Sequence, residues 1–96
     1  MSAKPETLFK KKVVKILSNL PHTKVFVIQQ VAKRGDPDLL VCVKGKFVAL
    51  ELKRSGVTKG SPLQEHILTQ VIKALGYARI CTPENFNQIL MELEEL

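Results

Sequence analysis

Two acidic side chains and a lysine stand out by their spacing near the middle of the chain. Asp38 opens an apolar run that ends at Val43, and Glu51 and Lys53 lie at the end of a second run that starts at Lys46. Side chains alternate along a β-strand, so Glu51 and Lys53 share one face of the second strand. Carboxylates bind hard divalent cations, and a lysine stabilises charge developing on a phosphate. The pattern indicates metal-assisted hydrolysis of a phosphodiester.

The register expected between the two strands brings the carboxylates together. A two-residue turn at Lys44-Gly45 would pair Val43 with Lys46 and so place Asp38 opposite Glu51. Directly opposed like charges are unfavourable in a sheet, and a divalent cation removes that penalty. A turn of another length would break the register. The structural alternative is a pair of acids at strand ends with the nearby lysine as their salt-bridge partner.

Two further polar side chains fall within the apolar stripes of predicted helices. Glu6 lies within the stripe of a helix that opens at Pro5 and stops at Pro21, and an acid facing the core needs a cation or a metal as its partner. Gln64 lies within the stripe of a helix that has Ser61 as its N-cap. Its amide either bonds a site water or the lysine, or merely caps the helix.

The periodicities predict an α/β fold with the order α-β-β-β-α-β-α, in which a mixed central sheet is flanked by helices. The predicted helices cover residues 5–20, 62–75 and 82–95, and the predicted strands cover residues 25–31, 38–43, 46–53 and 77–81. Gly76 is the expected C-cap of the second helix. We expect the stripe of the last helix to pack on the core in preference to a second subunit.

Burial expectations follow for the second helix and for the cysteines. Cys42 and Cys81 each lie in an apolar run without paired metal-ligand spacing, so both are expected to be buried and inert. The apolar stripe of the second helix consists of Leu63, Ile67, Leu68, Val71, Ile72 and Leu75.

The charge is distributed unevenly. Residues 1–60 hold 13 basic and 4 acidic side chains, whereas residues 61–96 hold 2 basic and 5 acidic ones. A basic region of this size favours a polyanionic partner such as DNA, although a solvated charged surface is the alternative. The candidates for phosphate contacts are Lys10, Lys11, Lys12, Lys15, Lys33, Arg34, Arg54 and Lys59.

The length of 96 residues predicts one domain over residues 1–96. A domain of this size is marginally stable alone, which makes a homodimer plausible. The apolar runs are too short to span a bilayer and no secretory segment opens the chain, so no membrane partner is expected. An intracellular, cytoplasmic location is predicted.

Taken together, the motifs resemble those of the VRR-NUC family in the PD-(D/E)xK nuclease superfamily. Gly35-Asp36-Pro37-Asp38 precedes Glu51-Leu52-Lys53, and Ser61-Pro62-Leu63-Gln64 and Leu75-Gly76-Tyr77-Ala78 follow in the family's order. The resemblance covers nearly the whole chain. It implies a restriction-endonuclease-like core and a requirement for Mg²⁺ or Mn²⁺.

Residue roles are carried over from the same resemblance. The implied catalytic residues are Asp38, Glu51, Lys53 and Gln64, and the implied metal ligands are Asp38, Glu51, the backbone carbonyl of Leu52, and Glu6. Asp36 receives no role. Stand-alone members look like phage or bacterial proteins that act as dimers on branched DNA such as four-way (Holliday) junctions, which places a phage-encoded copy in the host cytoplasm. The alternatives are a non-catalytic DNA-binding module of the same fold and a structural subunit with an acidic protein partner.

Overall fold

The computed structural model describes residues 5–28 and 35–96, and within the first range it describes side chains from Thr7 onward. The elements in chain order are α1 (Pro5–Ser18), β1 (Thr23–Val27), β2 (Leu39–Val43), β3 (Lys46–Leu52), α2 (Pro62–Lys73), β4 (Tyr77–Cys81) and α3 (Phe86–Glu94). The predicted α/β class is confirmed, with one mixed four-stranded sheet and three helices in the described ranges. No helix within these ranges has the length and apolar character needed to cross a bilayer.

The sheet has the strand order β1-β2-β3-β4. Its first three strands are antiparallel neighbours, and β4 joins β3 in parallel after the α2 crossover. Val43 pairs with Lys46, which confirms the expected register. Lys44 and Gly45 both have positive φ angles, 52° and 82°, as the hairpin turn with the matching twist requires. The short turn therefore sets which side chains of β2 and β3 face each other.

One face of the sheet, here called the closed face, is covered by α1 and α3. Its buried core consists of Val13 and Leu17 from α1, Leu39, Val41, Val43, Val48, Leu50 and Cys81 from the strands, and Phe86, Ile89 and Leu93 from α3. Phe9 and Phe86 meet edge to face across the two helices, with ring centroids 6.1 Å apart. The expectation that the last helix packs on the core is confirmed.

The opposite face is covered only in part. There α2 packs on β3 and β4 through Leu68, Ala49 and Ala78. The uncovered part, here called the open face, consists of Phe26, Leu40, Cys42 and Phe47, of which Leu40 alone packs towards the α2 core. Phe26 is 53 % exposed and Phe47 is 52 % exposed.

The open face corrects one prediction about the cysteines. Cys81 is buried as predicted, but Cys42 is exposed. The reason is the path of α2, which links β3 to β4 and packs on those two strands, so that on this side of β2 it reaches Leu40 but leaves Cys42 uncovered. An apolar run predicts a strand, but it does not predict how far a neighbouring helix extends across it.

The end of α2 also differs from the prediction. The helix ends at Lys73, and Leu75 adopts a positive φ of 71° with its side chain 93 % exposed, so it does not face the sheet. The positive φ falls on Leu75 and not on Gly76. At Gly76 an added Cβ would instead meet Val71 at 2.8 Å and the carbonyl oxygen of Phe47 at 3.2 Å. Gly76 is thus required by close packing.

Two smaller corrections concern the rest of the α2 stripe and the start of α3. Only Leu68 of the predicted stripe is buried, and Leu63 and Ile72 are exposed. The last helix begins at Phe86, after a turn that follows Thr82, and not at residue 82.

The predicted extension of β1 to residue 31 lies mostly outside the described residues.

Candidate active site

Asp38 is held at the edge of the β2–β3 pairing by hydrogen bonds on both sides. Its carbonyl oxygen accepts from the backbone N–H of Ile28 at 2.9 Å, which continues the pairing of β1 with β2. Its carboxylate oxygen Oδ2 accepts from the backbone N–H of Leu52 at 2.8 Å. The carboxylate therefore lies across the end of β3, one residue from Glu51.

Glu51 is the buried centre of the site. It lies in β3 and is only 4 % exposed. Its Oε2 accepts a hydrogen bond from Nε2 of Gln64 at 2.6 Å and lies 3.6 Å from Nζ of Lys53. Its other oxygen, Oε1, is buried and has no hydrogen-bond partner among the described residues. An unpartnered buried carboxylate oxygen is costly unless a cation or another donor meets it.

The surroundings of Glu51 disfavour its charged form. Burial first, and then the negative charge of Asp38, raises the pKa of Glu51 to about 7, against the opposing effect of Lys53. The two carboxylates are therefore close enough to repel each other. A divalent cation between them would remove the repulsion and favour the ionised form of both.

Gln64 has two roles that the sequence left as alternatives. Its side-chain Oε1 accepts from the backbone N–H of Ser61 at 2.8 Å, and its own N–H donates to Ser61 Oγ at 3.2 Å, which completes a capping box at the start of α2. Because Oε1 is occupied by Ser61, the amide NH₂ group is directed to Glu51. The hydrogen-bond partner of the Gln64 NH₂ group is thus Glu51 and not Lys53. Gln64 therefore both caps α2 and contacts the candidate site.

The site presents oxygen atoms of the kind that a divalent cation such as Mg²⁺ binds. Asp38 and Glu51 supply two carboxylates, and Leu52 lies between Glu51 and Lys53 with its carbonyl as a third oxygen. Mg²⁺ is commonly held by one or two carboxylates with water completing its shell, so these residues fit such an ion. No group of three or more His, Cys, Asp or Glu side chains suited to a metal occurs in the described part of the chain. The side chain of Glu6 lies outside the described residues.

The basic candidates are only partly described. Lys11, Arg54 and Lys59 are exposed and Lys10 is half-buried, whereas Lys33 and Arg34 lie outside the described residues. Within the described ranges, salt bridges join Lys53 to Glu51 at 3.6 Å and Arg79 to Glu92 at 2.8 Å. Lys10, Lys11, Arg54 and Lys59 form no salt bridge with an acid among the described residues.

One contact near the site has no signal in the sequence. The loop of residues 54–60, which links β3 to α2, is bound by the carboxylate of Glu84: Ser55 Oγ donates to its Oε2 at 2.5 Å and the N–H of Gly56 to its Oε1 at 2.9 Å. These partners are 28 and 29 residues apart, beyond the reach of any local pattern.

Compared with protein-family models, with curated proteins and with solved structures, the chain shows no match. A function for this chain therefore has to be inferred from the geometry of Asp38, Glu51, Lys53 and Gln64.

Proposed function

We propose that this chain is a divalent-metal-dependent DNA endonuclease that hydrolyses phosphodiester bonds in branched DNA as a homodimer. The observation that carries the proposal is the pair formed by Asp38 and Glu51, next to Lys53, with one buried oxygen of Glu51 unpartnered. A restriction-endonuclease-like core is part of the proposal. The antiparallel pairing of β2 with β3 and the parallel addition of β4 agree with it.

Each side chain has a distinct role in the proposed reaction. Asp38 and Glu51 would hold Mg²⁺ or Mn²⁺, together with the Leu52 carbonyl. The ion, when bound, supplies activation of the phosphodiester and of the attacking water. Lys53 carries positive charge beside the carboxylates and stabilises charge that develops on the phosphate. Gln64 fixes the orientation of the Glu51 carboxylate through its 2.6 Å hydrogen bond.

The first experiment measures cleavage of a synthetic four-way junction and of its matching linear duplex, with Mg²⁺, with Mn²⁺ and with EDTA. Wild type is expected to nick the junction only with metal. Lys53→Ala should lower kcat on the order of 100- to 1000-fold, as the loss of a transition-state charge partner does elsewhere. Lys46→Ala is the matched control, because it removes the same charge from the exposed start of β3. A wild-type protein that cleaves neither substrate with either metal would disprove the proposal.

Metal binding can be measured without cleavage. Mn²⁺ at a hundredfold excess over its Kd should stabilise the folded protein by about 2.7 kcal/mol. Asp38→Asn should abolish most of this gain, whereas Asp36→Asn, two residues away, should retain it. Thermal unfolding with Mn²⁺ and with EDTA gives the comparison. Equal gains in the two variants would exclude Asp38 as a ligand.

A non-catalytic DNA-binding module is the second candidate. The observation in its favour is that the described residues contain two carboxylates at the site and no third acidic, His or Cys ligand. It predicts salt-dependent DNA binding that is unchanged in Asp38→Ala and yields no product. The junction assay separates the two candidates, because binding without nicks supports the module alone.

The homodimer is proposed to form through the open face. Phe26 and Phe47 each leave roughly 100 Å² of aromatic surface exposed. A groove beside Phe47 continues along α2 to Leu75, so the apolar surface is continuous across the sheet and the helix. Exposed apolar patches of several hundred Å² mark protein contacts. A two-fold dimer gives two equivalent sites, which suits two symmetric cuts in a junction.

Sedimentation at several protein concentrations tests the interface. Phe47→Glu should shift the protein to a monomer, whereas Met91→Glu, an exposed apolar position on α3 beyond the closed face, should not. Cys42 is the exposed thiol of the two cysteines, so a short bis-maleimide should cross-link wild type through Cys42. A wild-type monomer at all concentrations would disprove the dimer.

A further inference from the structure

The loop of residues 54–60 connects the two halves of the candidate site. It begins immediately after Lys53 at the end of β3 and ends immediately before Ser61, the N-cap that positions Gln64. The last link between β3 and β4 is the hydrogen bond from Lys53 N–H to the carbonyl of Cys81, at 2.9 Å. Beyond this bond the position of the loop is not set by the sheet.

The loop has little apolar packing beneath it. A groove of about 610 Å³ lies between the loop, α2 and β4, and Val57 and Thr58 form part of its wall. Loops without buried apolar contacts open at low free-energy cost. The two hydrogen bonds to Glu84, at 2.5 Å and 2.9 Å, are therefore the main link between the first half of the loop and the body of the protein.

The turn that carries Glu84 is held by side-chain hydrogen bonds of its neighbours. Glu84 lies in the turn after β4, where Thr82 N–H donates to the Asn85 side chain at 2.8 Å and the Asn85 amide donates to the carbonyl of Ile80 at 2.8 Å. Ile80 is the pairing partner of Glu51 in the neighbouring strand. The donors Ser55 and Gly56 also hold the pKa of Glu84 below its usual range, so the carboxylate stays ionised at neutral pH.

The other end of the loop touches the site directly. A Cβ added at Gly60 would lie 2.7 Å from Oε1 of Gln64 and 3.0 Å from its Cβ. A movement of the Gln64 side chain would break hydrogen bonds, because its Oε1 accepts from Ser61 and its NH₂ group donates to Glu51. A displacement of the loop is therefore transmitted to the hydrogen bond that orients Glu51.

We propose that Glu84 is a positioning residue, whose carboxylate fastens the loop of residues 54–60 and thereby sets the placement of Lys53 and Gln64. The effect on catalysis rests on the proposed function. That Glu84 holds the loop rests on its two hydrogen bonds alone. Glu84 does not contact the substrate in this proposal. It acts through Ser55 and Gly56.

The fastening is tested by trypsin digestion of the full, metal-free chain, because Arg54 and Lys59 are trypsin sites within the loop. Cleavage after these residues should be on the order of tenfold faster in Glu84→Ala than in wild type, since proteolysis follows local opening. Glu95→Ala removes an exposed acid at the end of α3 and should leave the rate unchanged. Equal digestion of Glu84→Ala and wild type would overturn the inference.

The positioning role is tested by junction cleavage at saturating Mg²⁺. Glu84→Ala should lower kcat on the order of tenfold, because small misplacements of catalytic groups are costly. Glu84→Gln should restore kcat to within about twofold, since its amide oxygen can accept from Gly56 and its NH₂ group can donate to Ser55. Faster digestion of Glu84→Ala with kcat unchanged would overturn the inference. A wild type that cuts no DNA would overturn the catalytic role together with the proposed function, and the digestion would still show whether Glu84 fastens the loop.

Discussion

The two faces of the sheet are built from neighbouring residues of the same strands, yet they differ in what they contain. The closed face is apolar and fully covered by α1 and α3, with Leu39 and Leu50 completely buried. The other face carries Asp38 and Glu51 at one end and the exposed Phe47 at the other. Burial that stabilises the fold is thus concentrated on one side, and the other side can hold two carboxylates that repel each other, of which Glu51 is buried and Asp38 is half-buried.

This division has a physical advantage for the proposed active site. A carboxylate such as Glu51, with a raised pKa and an unpartnered oxygen, reduces the stability of the folded state. A complete apolar core on the closed face offsets that cost without crowding the site.

Adjacent leucines in β2 give the most direct comparison of the two faces. Leu39→Ala should lower the free energy of unfolding by about 3 to 4 kcal/mol, because the residue is fully buried beneath α1 and α3. Leu40→Ala should cost only about 1 to 2 kcal/mol, because Leu40 is half-buried on the opposite face. Urea denaturation at a concentration where the chain is monomeric measures both. Equal losses of unfolding free energy in the two variants would show that both faces of the sheet contribute equally to stability.

The free energy of unfolding should depend on pH mainly through Glu51. The pKa of the Glu51 carboxyl is 4.5 in the unfolded chain and about 7 in the folded protein. Unfolding at a pH between these two values therefore releases a proton. The free energy of unfolding in EDTA should therefore fall by up to about 3 kcal/mol as the pH rises from about 4.5 to about 7.

Glu51→Gln should remove this fall, because no proton is then gained or lost at the position. Glu95→Gln, which removes an exposed carboxyl at the end of α3, is the matched control. Denaturant unfolding at pH values from 4.5 to 8 measures how the free energy of unfolding changes with pH. Parallel curves for wild type and Glu51→Gln would contradict the raised pKa.

The smallest effect is expected at the end of α2. Leu75 has a positive φ of 71° and a side chain that is 93 % exposed, so Leu75→Gly should raise the stability of the monomer by up to about 1 kcal/mol. The same variant should weaken self-association, because Leu75 lines the groove next to Phe47. Denaturation and sedimentation of one preparation measure the two effects. A loss of monomer stability would show that Leu75 is part of the core.

Local patterns in the sequence were sufficient for much of the fold. The alternation of β2 and β3, with the Lys44-Gly45 turn, predicted the observed pairing of Val43 with Lys46. Ser61 and Pro62 predicted the start of α2. Such features depend on residues a few positions apart, where spacing along the chain determines spacing in space.

The partners at the site required the tertiary structure. The sequence singled out Gln64 but not its hydrogen bond to Glu51, and it contained no sign that Glu84 binds the loop at Ser55 and Gly56. These pairs are brought together by the α2 crossover and by the parallel pairing of β3 with β4. Sequence spacing does not encode the distance between such segments.

The sequence by itself determined the α/β class, the register of β2 on β3, and therefore the meeting of Asp38 with Glu51. Only the tertiary structure decided how far α2 extends over the sheet, and hence that Cys42 is exposed. The physical reason is that periodicity states which way a side chain points within its own element. Whether another element covers it depends on the path of the chain between elements, which is set by packing.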